Sequence, residues 1–223
     1  MDMPRKTTWL PAERNSKKTP ETVLQVKVTL YDVSPRVWRR VLVPTDYTFF
    51  DLHIALQDAM GWDDSHLHSF SFVPKGGKKE IVIQYPSPMH DDFGMPSLDE
   101  RGEKIAEYFE KGIKHYTYTY DFGDNWEHDL VFEKILSTKP GAKYPQCVAG
   151  ANVCPPDDCG GVGGYDNLRK ALRNPRHPDH KDMLDWLDIK SPEEFDSSAF
   201  NPAKVHFLDP KKRFAQYRRG FGF

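Results

Sequence analysis

The chain is short of cysteine, of sustained apolar runs and of any excess charge, and each shortage closes off a class of protein. Its 223 residues hold three cysteines, an odd number that cannot all pair within one chain. A disulfide-stapled secreted scaffold is therefore not expected, and a reducing cytoplasm fits best. No apolar run approaches the roughly 20 residues of a membrane-spanning helix, so no membrane association is expected. The segment Met1 to Thr19 is polar, carries Arg5, Lys6, Arg14, Lys17 and Lys18, and lacks the apolar stretch of a signal peptide. A net charge of −2 gives no global pull toward nucleic acid. Nucleophile and nucleotide signatures are missing too: no G-x-S-x-G, no P-loop, and no G-x-G-x-x-G after a strand. The run Gly160-Gly161-Val162-Gly163-Gly164 is glycine-rich but follows a loop, which gives little support for a phosphate cradle.

What is there reads as a soluble domain, 38% apolar and 29% charged, large enough for a real core. Residues 1–21 form an expected flexible arm, 22–204 a single domain, and 205–223 a basic, aromatic tail. Leu24 to Leu30 and Val37 to Val43 alternate as strands on either side of Ser34-Pro35. Thr48 and Asp51 match a capping box for a helix with Phe49, Leu52, Leu56, Ala59 and Met60 on one stripe, stopped by Gly61. His53 falls within that stripe and is expected to be packed. Leu67–Val73 and Ile81–Tyr85 read as further strands. The stretch 86–100, with Pro86, Pro88 and Pro96, reads as loop, and Ser97 with Glu100 as the cap of a short helix through Tyr108. Helices are expected near 165–173 and 179–188, after a Pro/Gly/Cys-rich loop over 140–164. These elements predict an α+β fold: a mainly antiparallel sheet, a helix after the second strand and a C-terminal helical pair.

The densest chemistry is Tyr120-Asp121-Phe122-Gly123-Asp124-Asn125-Trp126-Glu127-His128, between two alternating runs. It predicts a hairpin over 113–136 turning at Gly123-Asp124-Asn125, with Gly123 at positive φ. A two-residue loop would set Asp121 across from His128, and a three-residue loop would set Tyr120 there. His66 and His68, two apart on an expected strand, would project from one face beside Asp63 and Asp64. With Asp121, Asp124, His128, Asp157 and Asp158 they form the candidate cleft. Each aspartate has a plainer reading as a brace for its own turn. Cys147, Cys154 and Cys159 could hold a structural zinc with His128 as fourth ligand, although the spacing is not that of a zinc knuckle. Three small residues in a turn-rich loop is the simpler view. Arg36, Arg39 and Arg40 around Trp38, and the tail's Lys211, Lys212, Arg213, Arg218 and Arg219 among Phe214, Tyr217, Phe221 and Phe223, could grip nucleic acid. The balanced overall charge favours the plainer reading, a solvated strand face and a disordered tail.

Four ordered stretches resemble one family. They are Val33-Ser34-Pro35-Arg36-Val37-Trp38-Arg39-Arg40; Asp51-Leu52-His53 leading into Gly61-Trp62-Asp63-Asp64-Ser65-His66-Leu67-His68-Ser69-Phe70; Tyr120-Asp121-Phe122-Gly123-Asp124 to His128; and Cys154-Pro155-Pro156-Asp157-Asp158-Cys159-Gly160-Gly161 followed by Gly164-Tyr165. Together they are similar to the plasmid pRiA4b Orf-three-like family, also met as TnpR-type passenger proteins of insertion elements. The family more often carries Glu at the position of Asp157. The resemblance implies a compact α+β domain with a link to mobile elements, and no settled reaction.

Two functions compete on these residues. One is a binding or adaptor module whose polar cleft takes a ligand or protein partner. The other is a metal-dependent enzyme, a hydrolase or nucleic-acid processor, using the same histidines and aspartates. Binding leads, because the sequence names no complete catalytic set.

Overall fold

The computed structural model describes residues 20–86 and 97–220, the last five (216–220) by backbone alone. The expected arm up to residue 19, the prolines Pro88 and Pro96, and Phe221 and Phe223 lie outside the described residues, as do the side chains of Tyr217, Arg218 and Arg219. Eight strands form one sheet in the order β5-β4-β3-β6-β7-β1-β2-β8. They are β1 Thr22–Leu30, β2 Trp38–Pro44, β3 His68–Phe72, β4 Ile81–Gln84, β5 Ser97–Asp99, β6 His115–Tyr120, β7 Trp126–Ser137 and β8 Gln146–Ala151. Neighbours run antiparallel except β4 and β5. The helices are α1 Phe49–Met60, α2 Ile105–Glu110, α3 Gly161–Arg173, α4 His180–Trp186 and α5 Pro210–Gly220. The fold is α+β, as the sequence predicts.

Alternation decides which face of the sheet is buried. Leu24, Val26 and Val28 on β1, Tyr116, Tyr118 and Tyr120 on β6, and Trp126, Leu130 and Phe132 on β7 all turn inward. Helix α1 lies on that face, and Phe49 makes edge contacts with Phe70, Tyr108 and Tyr116 at 5.1–5.4 Å between centroids. The capping box forms as expected: Thr48 Oγ1 accepts from the Asp51 N–H, and Asp51 Oδ2 accepts from the Thr48 N–H. Gly61 ends the helix in the left-handed region.

Several expectations are corrected. Ser97–Asp99 is an edge strand, not a helix cap, and Glu100 beyond it is fully buried. Residues 146–151 of the expected long loop pair with β2. The tail from 205 includes helix α5, and Phe214 packs on Phe50 of α1 at 5.6 Å. The basic strand is not a free cationic face. Arg39 is buried, donating to the carbonyls of Ala59, Trp38 and Ala151, while Arg40 is held by both carboxylate oxygens of Glu133.

Candidate functional site

Three loops meet at one end of the sheet: 61–67 after α1, 121–125 between β6 and β7, and 152–160 before α3. The middle loop is longer than the sequence predicts. Tyr120 pairs with Trp126, so five residues make the turn, and Tyr118 rather than Asp121 or Tyr120 stands across from His128. The Asn125 N–H bonds the Asp121 carbonyl at 2.6 Å, a single closed turn of helical type. Positive φ falls on Asp121 and Asn125, 55° and 53°, and not on Gly123.

The loops are stitched by hydrogen bonds in which Asp157 and Asp124 take part. Asp157 Oδ2 accepts from the Tyr120 hydroxyl and from the Asp63 N–H, at 3.1 and 3.2 Å. Asp124 Oδ2 accepts from the Gly160 N–H, Trp62 Nε1 donates to the Pro155 carbonyl, and the Asp121 N–H bonds the Leu67 carbonyl. Burial raises the Asp157 carboxyl above its ordinary range. Asp124 and Asp157 are thus braces, but between loops rather than within their own turns.

Gly161 allows the closest of these approaches. It has φ +66°, and a Cβ there would stand 2.5 Å from the Asp124 carbonyl oxygen. Gly161→Ala is therefore expected to lower stability by about 1–3 kcal/mol. An unchanged denaturation midpoint would contradict this close packing of α3 on the hairpin loop.

With Asp124 and Asp157 occupied, the loops leave His66, Asp121 and Asp158 facing one another. The His66 nitrogen and one oxygen from each carboxylate lie within 4.8 Å of each other. Asp121 Oδ1 accepts from the Gly123 N–H, which leaves Oδ2 toward His66 at 3.8 Å. Asp158 Oδ1 lies 2.8 Å from His66 Nε2, yet the pair is not aligned as a hydrogen bond, and Nε2 has no other partner. Asp158 is exposed, and three ligand atoms placed this close together could share one cation. One imidazole nitrogen and two carboxylate oxygens suit Zn²⁺ or Mn²⁺ better than an all-oxygen ion such as Ca²⁺.

His68 and His128 go elsewhere. Strand β3 begins at His68, so the period-two face does not extend back to His66. His68 turns inward, bonding Glu100 at 2.7 Å, with its ring stacked on His53 at 3.3 Å and 2°. His53 in turn bonds Tyr118 and Asp64, and Asp64 holds Arg213 of α5. Sequence reasoning misses this buried network of α1, β3, β6 and α5. Only His53 is legible, as a packed residue, because its partners are remote in sequence. Burial, then the adjacent His68, lowers the His53 pKa. His128 shares the inward face of Trp126, Leu130 and Phe132, and its Nδ1 donates to the Tyr118 carbonyl at 3.0 Å.

The cysteines do not gather as expected for zinc. Among the described residues no group of three ligand atoms includes a sulfur. Cys147 sits on edge strand β8, Cys154 is buried in the core, and Cys159 lies beside the hairpin loop. Burial raises all three thiols, Cys159 to about 12, so none is poised as a nucleophile.

Fold and site together define a mixed α+β protein with a histidine–carboxylate cluster where three loops close one end of an antiparallel sheet. The chain belongs to the family of plasmid pRiA4b ORF-3-like proteins, whose model matches residues 22–204. It is 34% identical over 186 residues to the uncharacterized protein y4hQ of Sinorhizobium fredii, covering 83% of this chain and 89% of that one. It is also similar to the crystal structure of MM3350 from Methanosarcina mazei Go1, a protein of unknown function. That likeness has 39% identity and a TM-score of 0.74, over 85% of this chain and 100% of the other. No helix among the described residues is long and apolar enough to cross a membrane.

Proposed function

We propose that residues 22–204 are a binding module that holds a divalent cation through His66, Asp121 and Asp158 and uses it to hold an anionic ligand. The observation that carries this reading is the unaligned 2.8 Å approach of His66 Nε2 to Asp158 Oδ1, with Asp121 Oδ2 beside them. Three protein ligands leave coordination positions for a ligand or water, unlike a closed structural site. The arm and the tail fall outside the family match and are accessory to the module. Three free thiols fit a reducing, cytoplasmic setting. In a thermal-unfolding assay, Mn²⁺ or Zn²⁺ at a hundredfold excess over its dissociation constant should stabilise the chain by about 2.7 kcal/mol. Asp121→Asn should remove that gain, whereas equal stabilisation of both proteins would sink the reading.

A metal-dependent hydrolase is the second reading, favoured by one observation. Asp157 Oδ1 is buried without a partner, one residue from a proposed ligand, where it could take a proton from metal-bound water. Metal-dependent cleavage of a model phosphodiester, lost in Asp157→Asn with metal binding retained, would favour catalysis over binding.

A further inference from the structure

A cavity lies away from the loop cluster, between the last turns of α3 and the segment 192–197. It is open to solvent and offers about 330 Å³, at the lower end of the size range of small-molecule sites. Its walls are Leu172, Pro175, Pro192 and Phe195, and its polar lining includes Arg169 and Arg173. Those two arginines stand four apart on α3 and so share one face of the helix. Their fates differ from those of Arg39, Arg40 and Arg213, which are all spent on protein acceptors. Arg169 donates through Nη1 to the Ser34 carbonyl and lies over the Tyr165 ring, but its Nε is buried without an acceptor. Arg173 makes no ion pair among the described residues. Two arginines beside an apolar wall match a carboxylate attached to an apolar body.

Glu193 narrows the choice. It belongs to the lining, so a dianion such as phosphate would meet like charge there, while a monoanion can place its charge at the arginines. Pro175 and Pro192 fix the backbone of both walls, so little ordering would accompany binding. We propose that this cavity is a binding site for a small organic monocarboxylate with an apolar body, separate from the cation site.

The test is a titration of the full chain followed by ¹⁵N–¹H NMR, with benzoate as the probe and with benzamide and inorganic phosphate as comparisons. Benzoate is expected to give saturable shifts at Leu172, Phe195 and Ser197 at millimolar concentration, with weaker or no response to the other two. Arg173→Gln, which touches no internal bond, should weaken benzoate by about tenfold or more. Arg169→Gln should do the same, with its melting curve checked because the Ser34 contact is lost. No saturable benzoate shifts, equal response to benzamide or phosphate, or unchanged affinity in Arg173→Gln would each overturn the proposal.

Discussion

Replacing Glu100 with leucine is expected to cost about 3–5 kcal/mol of stability, the usual loss when one partner of a buried ionisable pair is removed. Glu100 is fully buried and bonds His68 at 2.7 Å. Without it the His68 nitrogen has no acceptor in a core where its ring already stacks on His53. The double variant Glu100→Leu, His68→Phe removes both members and keeps an aromatic ring on His53, so it should recover much of the loss. Chemical denaturation reads both. A single variant losing less than about 1 kcal/mol, or a double variant no more stable than Glu100→Leu alone, would show that the pair does not act as a unit.

Acid should unfold the chain partly through His128. Burial holds its pKa at about 4, below the ordinary 6.5, and its Nδ1 proton is committed to the Tyr118 carbonyl. Between those two values the unfolded chain binds a proton that the folded chain refuses, so stability rises with pH there. His128's contribution is complete above pH 6.5 and is lost as pH falls toward 4, by about 3 kcal/mol over the window. His53, also lowered by burial, adds in the same direction. His128→Gln keeps a donor for the carbonyl without the titration, so its stability should fall less steeply over that range. Parallel curves for the two proteins would contradict the assignment.

The parts of the fold written in local pattern are legible: the alternation of β1, β2, β6 and β7, the Thr48–Asp51 box and the Gly61 stop. Edge strands are not. Strand β5 is three exposed residues, and β8 is half-buried nearly throughout, so neither shows the alternation that burial of one face imposes. Helix α5 has few apolar residues to announce it, and among its described side chains the ring of Phe214 packs on the core. The hairpin is legible but its turn is not, because Asp121 and Asn125 adopt positive φ and Gly123 does not. At the site, His66, Asp121 and Asp158 are all among the sequence candidates. The departure of His68 from them has no sequence signal, since it turns on where β3 begins. For His128 the clue is present, because it alternates in step with Trp126, Leu130 and Phe132. The partners of His53 come from separate elements, and no local spacing encodes them.

The central claim is that His66, Asp121 and Asp158 hold one divalent cation, and paramagnetic broadening by Mn²⁺ tests it most directly. With substoichiometric Mn²⁺, the amide signals of Leu67, Gly123 and Cys159 should broaden first, while those of Lys181 and Ile135 stay sharp. His66→Gln and Asp121→Asn should each abolish the pattern. Broadening centred elsewhere, or none in the native chain at millimolar Mn²⁺, would contradict the claim.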